Sequence, residues 1–547
     1  MKEKQIIEKL FKEKETYEQS TKTKRTEMQT IWDAFNGKMT DKEYPWQSDK
    51  FIPKMRTEIS YIMPFVFSGD PEVEIEGVGD EDKFIASLLE KMVNHRLSKD
   101  TFDKFSDWVI QALTFGTSLI KTTWKLEDDG EKIIKDEPIL EVPNILDIFL
   151  NPLIPTIEKQ VSVIERSTLT IADIKANSAY KNTDKVKPKG KFGDTGTYDS
   201  ETLNSSDLDS TEKLQQDMEV VEVYERWTKD RLQTVADGAE KILLRDVKNP
   251  YGFIPYEKLI FESEPIPNRF YGKGVGQNTI DLQAMYYDMF NNVMDNIKIL
   301  VNKMWKVRQG ANVNPRDLVA KPGGTITVGS LDDVDPIEMT DIKQSAFELL
   351  GLIGDEHKRA SGANDLIQGA ETGDTLGQDN IRQNNATNRF ELVRKRFKKA
   401  LANVGNTIVK LEIKNMQNPD AEILRIFPKE TREALFELIS NEADKLKYDI
   451  KVKGDTTMAI NKDIASKQLL DLYNLAGETL TEKERRAWIR AIAQMRGLMT
   501  AANTTIDELV SEEPQQQEEQ QPIDGQQLPP INSQATQQGI NQATYGI

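Results

Sequence analysis

Three glycines, at 272, 274 and 276 in Tyr271-Gly-Lys-Gly-Val-Gly276, have the spacing most suggestive of chemistry in this chain. A glycine-rich turn ahead of a helix can cradle phosphate with its backbone N–H groups. The GxxxxGK[ST] pattern is absent, however, and the spacing does not match GxGxxG. The preferred reading is a tight lead into a helix that starts near Thr279. Acidic runs at Asp332-Asp333, Asp128-Asp129 and Asp80-Glu81-Asp82 could attract a divalent cation. Each lies in a turn-like polar stretch, where carboxylates cap helices and solvate loops. There are two histidines, His95 and His357, and no cysteine. Thiol catalysis, disulfides and Cys-ligated metal are thereby excluded, and a histidine triad has almost nothing to work with. HExxH, GxSxG and EF-hand patterns are also missing. No catalytic residue, metal or cofactor is expected, and the chain is read as not an enzyme.

Composition narrows the partners. The 547 residues are enough for three or four domains with a substantial core. The formal charge is −18. Affinity for nucleic acid comes largely from Lys and Arg contacts to phosphate, so the chain is not a typical DNA binder. Solubility is the plain reading of the charge; a wall along which a polyanion slides is the other. No secretory signal is expected, because Met1-Lys-Glu-Lys-Gln leads into a charged helix without an apolar core. Ile59–Phe67 is the longest apolar stretch, is interrupted by Pro64 and is too short to span a bilayer, so no membrane is expected.

The spacing of apolar residues predicts an α+β chain, mainly helical. A charged helix is expected from 2 to about 36, with Gly37 after it. Further helices are expected over Met55–Phe67, Asp80–Leu97 (Phe84, Leu88, Leu89 and Met92 on one face) and Thr101–Phe115, which Gly116 stops. Period-two stretches predict paired strands at Ser118–Trp124 and Ile133–Val142, and another at Ser162–Leu169. A meander follows at Val220–Trp227, Leu232–Val235 and Lys241–Arg245. Residues 181–215 are poor in apolar groups and are expected to form a mobile insertion. Late in the chain, a strand is expected at Leu446–Val452 and helices at Asp463–Leu475 and Thr481–Met499. The Gln-rich stretch from Glu512 is expected to be disordered.

The centre is organised around long helices. Thr279–Met304 carries an apolar stripe of Leu282, Met285, Met289, Val293, Ile297 and Leu300. A second group is Tyr286, Phe290 and Met294, with Asp288, Asn292 and Asp295 on a polar side. An arc this wide needs two neighbours, which suits a helix wedged between copies of itself, although a helix within a bundle would look the same. A polar, glycine-rich loop at Ser361–Gln378 separates the Asp341–Arg359 helix from a third, about ten turns long, over Asn380–Met416. The third helix has a seam of Phe390, Val393, Phe397, Leu401, Val404, Ile408 and Leu411. Its other face holds Arg389, Arg394, Lys395, Arg396, Lys398 and Lys399. Such a basic run is usually a solvated face. Of the functional readings, DNA phosphate or an acidic neighbouring subunit, the neighbouring subunit is preferred.

Gly272-Lys-Gly274-Val-Gly276, Leu282-Gln283, Asn291-Asn292, Asp295-Asn296 and the exit Lys303-Met-Trp-Lys-Val307 together resemble the portal, or head-to-tail connector, proteins of tailed bacteriophages, especially short-tailed ones. Pro315, Lys321-Pro-Gly-Gly324 and Ile326-Thr-Val328 are similar to the portal clip, and His357-Lys-Arg-Ala-Ser-Gly362 with Gly369 and Thr375 to the end of the second stem helix. The resemblance covers most of residues 25–455 and lies in the order of soft motifs. It implies a wing, stem, clip and crown architecture forming a ring-shaped homo-oligomer. The wing would be 1–270, the first stem helix 271–304, the clip 305–339, the second stem helix 340–360 and the tunnel loop 361–379. The spanning helix and rest of the wing would be 380–455, the crown 456–511 and the tail 512–547.

By the same resemblance the channel loop would present Asn364, Asp365, Gln368, Glu371, Thr372, Asp374 and Gln378, without a basic residue. The clip would dock adaptor or terminase through Lys306, Arg308, Arg316, Lys321, Asp332 and Asp333. Stem contacts between subunits would use the apolar stripe from Leu282 to Leu300. The implied function is a homo-dodecamer at one capsid vertex that nucleates head assembly. It would pass double-stranded genomic DNA during packaging and ejection, and dock terminase, tail adaptor and major capsid or scaffolding protein. Assembly would take place in the host cytoplasm and the product would reside in the virion. Two other classes compete: an elongated helical scaffold or adaptor without a channel, and a nucleic-acid-processing enzyme with metal- or nucleotide-dependent turnover.

Overall fold

The computed structural model describes most of residues 3–452; the longest stretches outside the described residues are 192–218, 364–389 and 433–447, and beyond Val452 only Leu470 is described. The chain divides into a unit of Met1–Asn461 and a second of Lys462–Ile547. The second unit, with the expected late helices, crown and Gln-rich tail, lies outside the described residues apart from Leu470.

Four helices open the fold: α1 (Glu3–Phe35), α2 (Lys54–Val66), α3 (Lys83–Ser98) and α4 (Phe102–Phe115). Strands β1 (Val73–Gly77), β2 (Thr117–Asp128), β3 (Ile133–Glu141), β4 (Ile148–Phe149) and β5 (Val163–Thr170) come in sequence with them. Next are the short α5 (Ile171–Ala176) and strands β6 (Gly190–Lys191), β7 (Glu219–Trp227), β8 (Arg231–Asp237), β9 (Lys241–Lys248) and β10 (Tyr256–Ile260). The centre holds α6 (Val275–Val301), β11 (Trp305–Val307), β12 (Val334–Pro336), α7 (Gln344–Ser361) and α8 (Glu391–Asn415), and β13 (Tyr448–Val452) closes the described chain.

Strands pair antiparallel throughout. One sheet runs β10-β2-β3, a larger one β4-β5-β7-β8-β9 with β6 on β7, and two small ones pair β1 with β13 and β11 with β12. Alternation along β7, β8 and β9 sends Tyr224, Val235 and Leu243 to one face, where Ile6, Leu10 and Phe11 of α1 cover them. Val221, Val223, Ala236 and Leu244 go to the other face, against Ile174 of α5 and Val186. The main core gathers α2, α3, α4 and the seam of α8 around Phe105, Trp108 and Phe397, all fully buried.

The two larger sheets are joined by charge. Lys121 Nζ lies 2.7 Å from Glu165 and 2.8 Å from Glu225, and Arg245 meets Glu225 at 2.5 Å. Burial alone would raise the Glu225 carboxyl; Lys121 and Arg245 outweigh it and hold the group below its ordinary value.

Several expectations need correction. Phe84 is 58% exposed, so it is not on the buried face of α3 with Leu88, Leu89 and Met92. At the start of the expected 181–215 insertion, Gly190–Lys191 (β6) pair with β7 and Val186 is buried. The remainder of that stretch up to 215 is outside the described residues. Strand β1 was hidden by its charged alternation, Val73-Glu-Ile-Glu-Gly77, and β10 by its two central charges, Glu257-Lys258. Helix α6 begins at Val275, four residues before Thr279.

Candidate functional site

The three glycines build a joint. Gly116 ends α4 at φ +81°, the left-handed region that favours glycine, and its backbone lies against the turn that starts α6. A Cβ on Gly274 would sit 2.5 Å from Gly116 N and 2.6 Å from Leu113 O, and one on Gly276 would sit 2.4 Å from Thr114 O. Two backbones touch here with no room for a side chain. Gln277 seals the joint: its Oε1 accepts from Gly274 N at 2.6 Å while its Nε2 donates to Phe115 O at 3.0 Å. The preferred sequence reading, a structural lead into the helix, matches this packing; the N–H groups of Gly272, Lys273 and Gly274 donate to Thr117, Glu262 and Gln277.

Below the joint, α6 buries a polar face. Gln283 Oε1 accepts from Met55 N at 3.1 Å and its Nε2 donates to Ile52 O at 2.9 Å. Asn291 makes the same two-sided contact with Lys50, at 2.8 and 3.1 Å. Asp295 Oδ1 accepts from Ser48 N at 2.6 Å, Lys298 Nζ donates to Trp46 O at 3.0 Å, and the Tyr287 hydroxyl donates to Asp49. Side chains four residues apart thus read the backbone of a strap, residues 46–53, which forms no strand pairing of its own, and of the first turn of α2. Burial would raise Asp295; the hydrogen bonds from Ser48 and Lys298 prevail and hold it below the usual carboxylate range. The sequence reading placed Asp295 on a polar side with Asp288 and Asn292. The spacing Thr279, Gln283, Tyr287, Asn291, Asp295 was the available signal, and polarity masked it.

With the polar face turned inward, most of the apolar stripe is left outside. Met285 and Ile297 are 52% and 40% exposed, Leu282, Met289 and Leu300 are half-buried, and Val293 is buried in its own chain and so leaves the outward set. Helix α7 packs along α6 and is anchored at its C-terminal half, where Ile353, Gly354, His357 and Ser361 are buried. His357 Nδ1 lies 2.8 Å from Glu58 Oε2 of α2, both buried, and Lys54 sits over the Tyr286 ring at 4.2 Å. Nothing local in the sequence marked the His357–Glu58 pair. The other half of α7 shows Phe347, Leu349 and Leu352 to solvent.

Beyond α6, Trp305, Lys306 and Val307 pair with Pro336, Asp335 and Val334 in a three-rung ladder. Lys306, Arg308, Arg316 and Asp332 are exposed. Asp333 is buried, accepts from Ser330 N at 2.8 Å and pairs with Arg308. Lys321 is outside the described residues. So are Asn364, Asp365, Gln368, Glu371, Thr372, Asp374, Gln378 and Arg389, together with 380–389 of the third helix.

On α8, Arg394 and Lys395 pair with Glu391 of the same helix, so the preferred intersubunit reading is not needed to account for them. Arg396 donates to Phe261 O at 2.5 Å and is half-buried, Lys398 is half-buried, and Lys399 is exposed. Arg396 and Lys399 line a cleft of about 320 Å³ with Glu257, Lys258 and Asn403. Burial pushes the Glu257 carboxyl up to about 7, against a hydrogen bond from Asn403 at 2.9 Å, and lowers Lys258 to about 8. A raised carboxylate costs stability as pH climbs from its unfolded value through its folded one. Thermal unfolding should therefore lose several degrees between about pH 5 and about pH 8 through this group. Glu257→Gln should flatten that change; an identical pH profile for the variant would refute it. Among the described residues, no cluster of three or more His, Asp or Glu forms a metal site.

A family model described as phage SU10 portal protein matches residues 130–543, most of the chain. No curated protein matches it.

Proposed function

Because the chain belongs to the phage SU10 portal protein family, a structural and non-enzymatic family of the virion, we propose that it works as a ring of twelve copies at one capsid vertex. The ring forms the channel for packaging and ejection of double-stranded genomic DNA, nucleates head assembly and docks terminase, major capsid or scaffolding protein and tail adaptor proteins. In this reading α6 and α7 are the stem, with 305–339 the clip between them and 361–379 the channel loop. Residues 1–270 and 380–455 build the wing, and 456–511 the crown. The observation that carries it is the side of α6 and α7 that their own chain does not cover. Met285, Ile297, Phe347, Leu349 and Leu352 are each at least 40% exposed on two adjacent helices, large apolar side chains that a partner would cover. Identical copies around an axis cover such faces.

Self-repulsion among copies that each carry −18 is screened by salt, so ring formation should strengthen with ionic strength. Native mass measurement across salt, with negative-stain imaging, checks both points. Rings with a hole about as wide as duplex DNA are expected. A monomer under every condition would contradict the ring, and small oligomers without a hole would favour the elongated scaffold.

A further inference from the structure

The wing–stem junction has two outward ridges of opposite character. One is basic with an aromatic end: Trp46 (52% exposed), Lys50 and Arg56, on the strap and the outer side of α2. It is held rigidly, since Lys298 and Asp295 pin residues 46 and 48 to α6, and Met55, Glu58, Ile59 and Ile62 bury the inner side of α2. Trp46 also stacks on the exposed Tyr44, with ring centroids 6.5 Å apart and planes 21° off parallel. The second ridge is acidic and leucine-rich: Glu348, Leu349, Leu352 and Asp355 on the outer side of α7, all exposed.

Within one copy the two ridges cannot meet. Helices α2 and α7 touch through their inner sides, at Glu58–His357 and at Lys54 beside Gly354. Side chains 180° around each helix from that contact look away from each other. Arg56 lies over the Phe35 ring of its own chain, 5.6 Å from its centroid. Two mutually complementary surfaces that face apart on one molecule define a head-to-tail contact, which closes into a ring when the rotation between copies permits.

We propose that the Trp46–Lys50–Arg56 ridge of one copy seats on the Glu348–Leu349–Leu352–Asp355 ridge of the next. This rests on the ring reading and adds to it which surfaces meet. Trp46 packs beside the leucines, and Trp and Arg are residue types that supply most of the contact energy at such sites. Opposite charges fix the register and exclude the reversed pairing. Reversing both cations or both acids puts like charges together at every interface around the ring, which a single solvent-exposed pair would not reveal.

The test compares full-length wild type with K50E/R56E, E348R/D355R and the fourfold swap, reading ring population against protein concentration by mass photometry. Each one-sided reversal should move the half-point by about tenfold or more, and the swap should return it to within about threefold of wild type. Asp355 also acts on Lys54 of its own chain, so E348R alone serves where E348R/D355R lowers the melting temperature of the monomer. The chain has no cysteine, so R56C/E348C treated with a short bis-maleimide should give a ladder of covalent multimers, and R56C alone should not. Wild-type rings that tolerate both reversals and give no ladder would overturn this pairing while leaving the ring intact. No wild-type rings at all would overturn the ring reading and the pairing with it.

Discussion

Gly274→Ala should be among the most damaging single-methyl changes in this protein, costing about 3 kcal/mol or more. The added Cβ falls within 2.8 Å of three backbone atoms, Gly116 N, Leu113 O and Thr114 O. Backbone cannot rotate away as a flexible side chain can, so either α4 or the start of α6 must shift, and Gln277 then loses its two-sided bridge. Backbone strain is not the cause, because Gly274 has φ −113°, which any residue adopts. Gly351→Ala is the matched control: nothing lies within 4 Å of its Cβ position in the middle of α7. There the same methyl should stabilise by up to about 1 kcal/mol through helix propensity. Thermal unfolding of the two variants should move in opposite directions. Equal and small shifts would show that the joint is not tightly packed.

Arg96→Met should cost about 3–5 kcal/mol, the range for leaving a buried charge without its partner. Arg96 ties three elements: its Nε meets Glu412 of α8 at 2.8 Å, and its guanidinium reaches Glu137 and Asp136 O of β3, each at 3.3 Å. Glu412 is 2% exposed, and burial already raises its carboxyl against the pull of Arg96. Without the guanidinium the folded-state value rises further, and stability is lost as pH climbs through that interval. The gap to wild type should therefore narrow on acidification, where Glu412 takes a proton in the folded state too. Arg96→Met combined with Glu412→Leu should recover most of the loss, because a well-packed apolar pair replaces a buried ion pair at little cost. A melting-temperature deficit that is independent of pH, and unrelieved in the double variant, would show that Arg96 acts by packing alone.

The long elements were legible because apolar period dictates them. The α8 seam from Phe390 to Leu411 is buried as its three- and four-residue steps require, and β2–β3 and β7–β9 follow alternation. Local chemistry was legible too: Gly116 stops α4, and the glycine turn leads into a helix without the P-loop pattern. Short strands such as β1 and β10 were not, because charged residues occupy their alternate positions and their partners lie far away in sequence. The basic run on α8 read as one face, although Arg394 and Lys395 are used within the helix and Arg396 on a carbonyl.

What the amino-acid order determined alone was the order of elements, the absence of cysteine and of recognisable catalytic patterns, and the family to which that order belongs. Tertiary structure decided which side of α6 turns inward. Hydropathy nominates the apolar stripe for burial, yet an extended strap with unpaired backbone groups must satisfy them, and Gln283, Asn291 and Asp295 do so. Long-range backbone demand of this kind has no period and no composition, so it becomes visible only when residues some 240 positions apart are brought together.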